Sequence, residues 1–136
     1  MVLPGRDPDV MALALIAKEH PEFAGRIAVG SPAMAECFED KFLTCEFARA
    51  RGLAFADTFR TGPAVMAELL NQFVTRHGFP LIAKPQRGSG SLGVRVVTNA
   101  AQLARASRLP GYVLQPFLGP SAENFMPPIA QGRKTR

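Results

Sequence analysis

Phe79-Pro80-Leu81-Ile82-Ala83-Lys84-Pro85-Gln86-Arg87-Gly88-Ser89-Gly90-Ser91-Leu92-Gly93-Val94-Arg95-Val96-Val97 reads as an apolar strand ending in a lysine, a glycine- and serine-rich loop, and a second strand. Glycine lacks a Cβ, so the loop's backbone N–H groups can approach phosphate oxygens closely, and the serines add hydroxyl donors. Lys84 stands four residues before the first loop glycine and brings a positive charge to the same anion. The loop matches G-x-G-x-x-G, a pattern that means little without its flanks. A dinucleotide-binding fingerprint requires a helix after the loop. Here Val94, Val96 and Val97 follow, and clustered β-branched residues favour a strand. A P-loop requires Gly-Lys-Ser/Thr at its end, which is absent. Protein kinases place the glycine loop before the lysine, the reverse of the order found here. Two readings stay open on this segment alone: a phosphate-covering hairpin, or an ordinary Gly/Ser hairpin with a surface lysine.

The whole chain narrows these readings. Its 136 residues suffice for one domain with a core, and no apolar run approaches the roughly 18 residues of a membrane helix. The start, Met1-Val2-Leu3-Pro4-Gly5-Arg6-Asp7-Pro8, lacks the apolar stretch of a secretory signal. Cys37 and Cys45 form neither a disulfide framework nor a metal-ligand pattern, which points to reduced thiols and a cytoplasmic location. The net charge of +5 is unevenly spread: residues 1–84 carry nine basic and ten acidic side chains, residues 85–136 seven basic and only Glu123. A basic excess that begins at the loop suits an anionic ligand such as a nucleoside triphosphate. Nucleic acid is a weaker fit, because the basic residues are dispersed and there is one Tyr and no Trp to stack on bases.

Capping and periodicity place the elements. Asp7 followed by Pro8 opens a helix to about His20, whose apolar residues cover most faces and predict thorough burial. Arg26–Gly30 reads as a short strand, and Ser31-Pro32 starts a brief helix to about Phe38. Asp40 caps a helix over Lys41–Arg51 that Gly52 stops, and Leu53–Phe59 is extended. Val65, Met66, Leu69, Leu70, Phe73 and Val74 keep helical spacing in a segment from Pro63 to His77. Asn99 with Gln102 forms a capping box for a helix to about Ser107, and Tyr112–Leu118 is the last strand. Residues 126–136 lack periodicity and read as a disordered basic tail. His20 and His77 fall at helix C-termini, where a cation is favoured without any chemistry. Ser89 and Ser91 have no His/Asp partners nearby and read as phosphate-loop hydroxyls.

Order and spacing together resemble the ATP-grasp superfamily, closest to its carbamoyl-phosphate synthase large-subunit-like and carboxylate–amine ligase branch. Four blocks carry the resemblance over about residues 8–125. They are Gly30-Ser31-Pro32 through Asp40-Lys41-Phe42, Phe47–Leu53 with Ala56-Asp57-Thr58, the hairpin from Phe79 to Gly93, and Tyr112–Gly119 as an adenine hinge strand. The resemblance implies an α/β chain holding a partial ATP-grasp fold. Residues 1–38 would end a pre-ATP-grasp α/β domain, and 39–125 would form an incomplete first nucleotide-binding subdomain with its Gly-loop β-hairpin.

It also implies roles. Lys84 and Lys41 would contact the nucleotide phosphates, and Gly88, Ser89, Gly90, Ser91 and Gly93 would fold over them as a mobile flap. Adenine would be read at the hinge residues Gln115, Pro116, Phe117 and Leu118, through the Pro116 carbonyl and the Leu118 N–H. Relatives commonly have Glu where Pro116 stands; proline keeps the needed carbonyl, although it suits an edge strand better than a central one. Glu123 would bind the ribose. Mg²⁺ belongs to the complete family site, whose acidic residues lie further on, and after Gly119 this chain offers one acid. The resemblance thus predicts a truncated or internal piece of an ATP-dependent ligase, binding ATP or ADP and inactive alone. It predicts self-association or completion by a partner chain as well, because an unpaired apolar strand edge invites pairing.

Overall fold

The computed structural model describes residues 1–119; Glu123 and the tail 126–136 lie outside them. The N-terminal third is helical. α1 (Asp7–Glu19) and α2 (Pro21–Ala24) precede α3 (Pro32–Glu39) and α4 (Lys41–Ala50). Ser31 Oγ accepts from the Met34 amide at 3.3 Å and starts α3. Asp40 Oδ1 accepts from the amides of Phe42 and Leu43 and starts α4. Gly52, with φ at +65°, ends the turn after α4 in the left-handed conformation its position requires.

A four-stranded antiparallel sheet follows, built from β1 (Phe59–Arg60), β2 (Leu81–Pro85), β3 (Arg95–Val97) and β4 (Tyr112–Pro116). Its order is β1-β4-β2-β3. α5 (Ala67–His77) lies between β1 and β2 in sequence, and α6 (Ala100–Ala106) between β3 and β4. Residues directly opposite in an antiparallel pair share a face, so the register fixes what each face presents. Leu81 opposite Val97, and Ala83 opposite Leu114, turn one face onto Phe73 of α5 and Leu103 and Ala106 of α6. Ile82 opposite Gln115, and Lys84 opposite Val113, lie on the other face. There the guanidinium of Arg60 sits 4.2 Å over the Phe42 ring and brings the start of α4 against the sheet.

The structure corrects several expectations. Arg26–Gly30 forms no strand; Ile27 makes a single bridge to Val2, with Val2 N donating to Arg26 O and Ala28 N to Val2 O. One isolated pairing cannot build a ladder. α1 is less buried than its composition predicted: only Ala14 is enclosed, while Leu15 and Ile16 stay exposed. α5 begins four residues after Pro63. The Thr61 and Gly62 amides are committed to the Tyr112 and Ser107 carbonyls, and Val65 closes a turn on Gly62, so the chain is pinned to the sheet until Met66. α6 follows its capping box with one variation. Asn99 Oδ1 accepts from the Gln102 amide, and Gln102 Oε1 accepts from Thr98 instead of Asn99.

Pro116 is the most informative departure. β4 is a central strand, yet proline sits there without losing a bond. The Phe117 amide donates to Pro80 O on the β2 side, so the preceding residue's nitrogen faces the β1 side. β1 pairs only as far as Phe59 with Leu114, and no ladder bond is needed at Pro116.

Candidate functional site

The β2–β3 connection leaves the sheet at Pro85 and returns at Val94. Gly88, Gly90 and Gly93 have positive φ, and Ser91 joins them at 58°, so the loop winds through the left-handed region at four of its residues. These glycines are not equivalent. A Cβ on Gly88 or Gly90 would meet no atom within 4 Å, so both glycines stand in open space on that side. A Cβ on Gly93 would stand 2.6 Å from Tyr112 Oη and 3.2 Å from Pro85 Cγ. Gly93 is therefore where the returning chain crosses the start of β4, and its role is close packing.

Lys84 projects from β2 on the face away from the core helices, opposite Val113. Burial pushes its ammonium pKa down, and the positive charge of Lys41 pushes it further the same way. A half-buried lysine that also feels the charge of a second lysine suits an anionic ligand. Burial also lowers the Lys41 pKa, against the opposing pull of Asp40, Asp7 and Glu39. The Lys41 ammonium donates to Gly88 O at 2.9 Å and lies 3.5 Å from Gln86 O, while its backbone N–H donates to Gln86 O at 3.0 Å. Lys41 thus touches the stem of the glycine loop directly. Beside it a cavity of about 460 Å³ opens between Asp7, Pro8 and Val10 of α1, Phe38 and Glu39 of α3, and Gly88 and Ser89 of the loop.

Behind Lys41 lies a polar cluster of which the sequence shows only the Asp40 helix cap. Asp40 is 2% exposed. Its Oδ2 accepts from Gln86 Nε2 at 2.6 Å and from Arg87 Nε at 3.3 Å. Arg87 also pairs with Glu36 at 3.2 Å. Burial alone would raise the Asp40 pKa; the bonds from Gln86, Leu43, Phe42 and Arg87 outweigh it and hold the carboxyl below its ordinary range. A second cluster centres on Asp57, which accepts from Arg49 at 2.9 Å and Arg76 at 3.3 Å and pairs with His77 at 2.9 Å. It ties the extended segment before β1 to α4 and α5. Nothing local in the sequence links residues so far apart.

The hinge residues are placed at the end of β4. Gln115, expected beside the base, is 4% exposed and donates to Thr58 Oγ1 at 2.6 Å. Its amide is committed to bracing β4 against the segment leading into β1. Pro116 ends the strand, Phe117 bonds back to Pro80, and Leu118 is 80% exposed. Among the described residues no group of three or more His, Cys, Asp or Glu side chains is placed to hold a metal ion, and no helix is long and apolar enough to cross a membrane.

Comparison with solved structures places the fold. D-alanine–D-alanine ligase from Helicobacter pylori superposes with a TM-score of 0.60 at 24% identity, covering 84% of this chain and 35% of that one. The biotin carboxylase domain of Hydrogenobacter thermophilus 2-oxoglutarate carboxylase, determined with MgADP, ADP and bicarbonate, superposes with a TM-score of 0.58 at 18% identity over 84% and 27%. N5-carboxyaminoimidazole ribonucleotide synthetase from Thermotoga maritima gives 0.53 at 22% identity over 85% and 28%. No family profile matches the chain, and no curated protein sequence matches it. The fold is a part of the ATP-grasp fold. The chain spans about a third of the length of these ATP-grasp enzymes.

Proposed function

We propose that this chain is the ATP-binding portion of an ATP-dependent ligase, one that activates a carboxylate as an acyl-phosphate for attack by an amine or thiol. Residues 1–38 are assigned to the preceding α/β domain, 39–125 to the first nucleotide-binding subdomain, and the protein to the cytoplasm. The observation that carries this reading is Lys84 on the sheet face away from the core helices, together with Lys41 bonded to the stem of a loop whose Gly88 and Gly90 stand in open space on their Cβ side. In it, Lys84 and Lys41 neutralise phosphate charge, and the amides and hydroxyls of Gly88, Ser89, Gly90 and Ser91 close over the same group. Gly93 holds the far end of the loop against Tyr112. The adenine would lie at the Pro116 carbonyl and the Leu118 N–H, beyond the point where β1 stops pairing. Gln115 supports this edge from within, and Glu123 is kept as the ribose ligand.

The described residues do not fit Mg²⁺, which asks for oxygen ligands including one or two carboxylates around a common point. A second reading is a non-catalytic nucleotide- or phosphate-binding module that works with another chain or copy. Calorimetric titration with ATP in the presence of Mg²⁺ tests the binding claim, with Lys84→Ala as the comparison. Loss of one charge-assisted phosphate contact, about 1.5–3 kcal/mol, should weaken binding about tenfold or more. Equal affinity in the variant, or no binding at millimolar nucleotide, overturns it. In a phosphate-release assay both readings expect no turnover from the chain alone.

A further inference from the structure

An N-cap aspartate needs one oxygen for its helix, and Asp40 uses Oδ1 for both the Phe42 and Leu43 amides. Its other oxygen is directed away from α4, to Gln86 and Arg87, the two residues that immediately precede Gly88. Lys41 fastens the same stretch through the Gln86 and Gly88 carbonyls, and the Gln86 amide donates to Gly111 O at the entry to β4. The loop therefore springs from a stem fixed on two sides, although Gly88 and Gly90 have open space where a side chain would be.

We propose that Asp40, acting through Gln86 and Arg87, is a positioning residue that sets the posture of the Gly88–Gly93 loop over nucleotide phosphates. The inference rests on the binding function proposed above. A loop whose origin and direction are fixed loses fewer conformations when it closes on an anion, so the clasp raises affinity for the phosphates without touching them. Because Arg87 also pairs with Glu36, the posture of the loop is tied to the α3–α4 unit and not to the sheet alone.

The division of labour between the two Asp40 oxygens makes the idea separable from folding. Asp40→Asn keeps a capping oxygen, since asparagine is as good an N-cap as aspartate, and sets an amide donor against the Gln86 and Arg87 donors. Arg87→Ala breaks the clasp from its exposed end without altering the helix cap. Two measurements are made on each variant: hydrogen exchange of the residue 88–94 amides without nucleotide, and affinities for ATP and for adenosine. Faster loop exchange in both variants, with ATP affinity reduced on the order of tenfold and adenosine affinity unchanged, supports the proposal. Unchanged loop exchange in both variants overturns it, as does a parallel loss for adenosine and ATP. If the wild-type chain binds no ATP, the proposed function fails, and the exchange measurement still decides whether Asp40 governs the loop.

Discussion

Replacing Gly93 by alanine tests whether the glycine loop is anchored by close packing at its far end. Both Gly90 and Gly93 are left-handed, with φ of +69° and +73°, so alanine at either position carries a backbone cost of about 1–2 kcal/mol. At Gly90 nothing lies within 4 Å of the new methyl group. At Gly93 the methyl would sit 2.6 Å from Tyr112 Oη and 3.2 Å from Pro85 Cγ, well inside contact distance. Relief requires moving either the start of β3 or Tyr112, which packs against the core between the sheet and α5. Such overpacking costs typically about 1–3 kcal/mol. Gly90→Ala should therefore lose about 1–2 kcal/mol of stability, and Gly93→Ala about 2–5. Urea unfolding followed by circular dichroism measures both. The double variant Gly93→Ala/Tyr112→Phe removes the oxygen in the way and should recover part of the difference relative to Tyr112→Phe alone. Equal costs at the two glycines, or no recovery in the double variant, would refute the packing argument.

Further outcomes follow from the polar clusters. Asp57→Asn should destabilise the chain by about 1–3 kcal/mol near neutral pH, the scale of hydrogen bonds to a charged group. Burial raises the Asp57 pKa, but the bonds and charges of His77 and Arg49 prevail and depress it. Its contribution is thus present above the unfolded value of about 3.9 and fades as pH falls through the lower folded value, so the wild type and Asp57→Asn should converge in strongly acidic urea titrations. A gap that persists undiminished below that range contradicts the assignment. Gln115→Ala leaves Thr58 without its 2.6 Å donor and opens space beside β4; a loss of about 1–3 kcal/mol is expected, and a double-mutant cycle with Thr58→Val should show coupling between the two sites.

The hairpin was legible in the sequence because its signals are local. Lysine at a strand end, three glycines and a valine cluster are read within one short window, and β2, the loop and β3 follow them. The Ser31, Asp40 and Asn99 caps were legible for the same reason, since a cap is satisfied by an amide two or three residues on. What stayed hidden depends on partners far along the chain. Arg26–Gly30 has a strand's composition but finds only Val2. Pro63 looks like a helix start, yet Thr61 and Gly62 are held by carbonyls near residues 107 and 112. Asp40 could be recognised as a cap, whereas its second oxygen's role requires Gln86 and Arg87 to be brought across from the loop. The burial of Gln115 could not be read either, because strand alternation says which residues share a face, not whether that face is covered.

The sheet order has a consequence for how the chain comes to be folded. β4, the last strand among the described residues, is inserted between β1 and β2, which never pair with each other. During synthesis from the N-terminus, β2, β3 and α6 can assemble from neighbouring sequence as soon as they emerge. β1 has no partner until β4 is complete, and its pairing joins Phe59 to Leu114 across much of the chain. The hinge strand is thus the closing piece of the sheet, and the edge proposed to receive the nucleotide base comes into existence only at that final step.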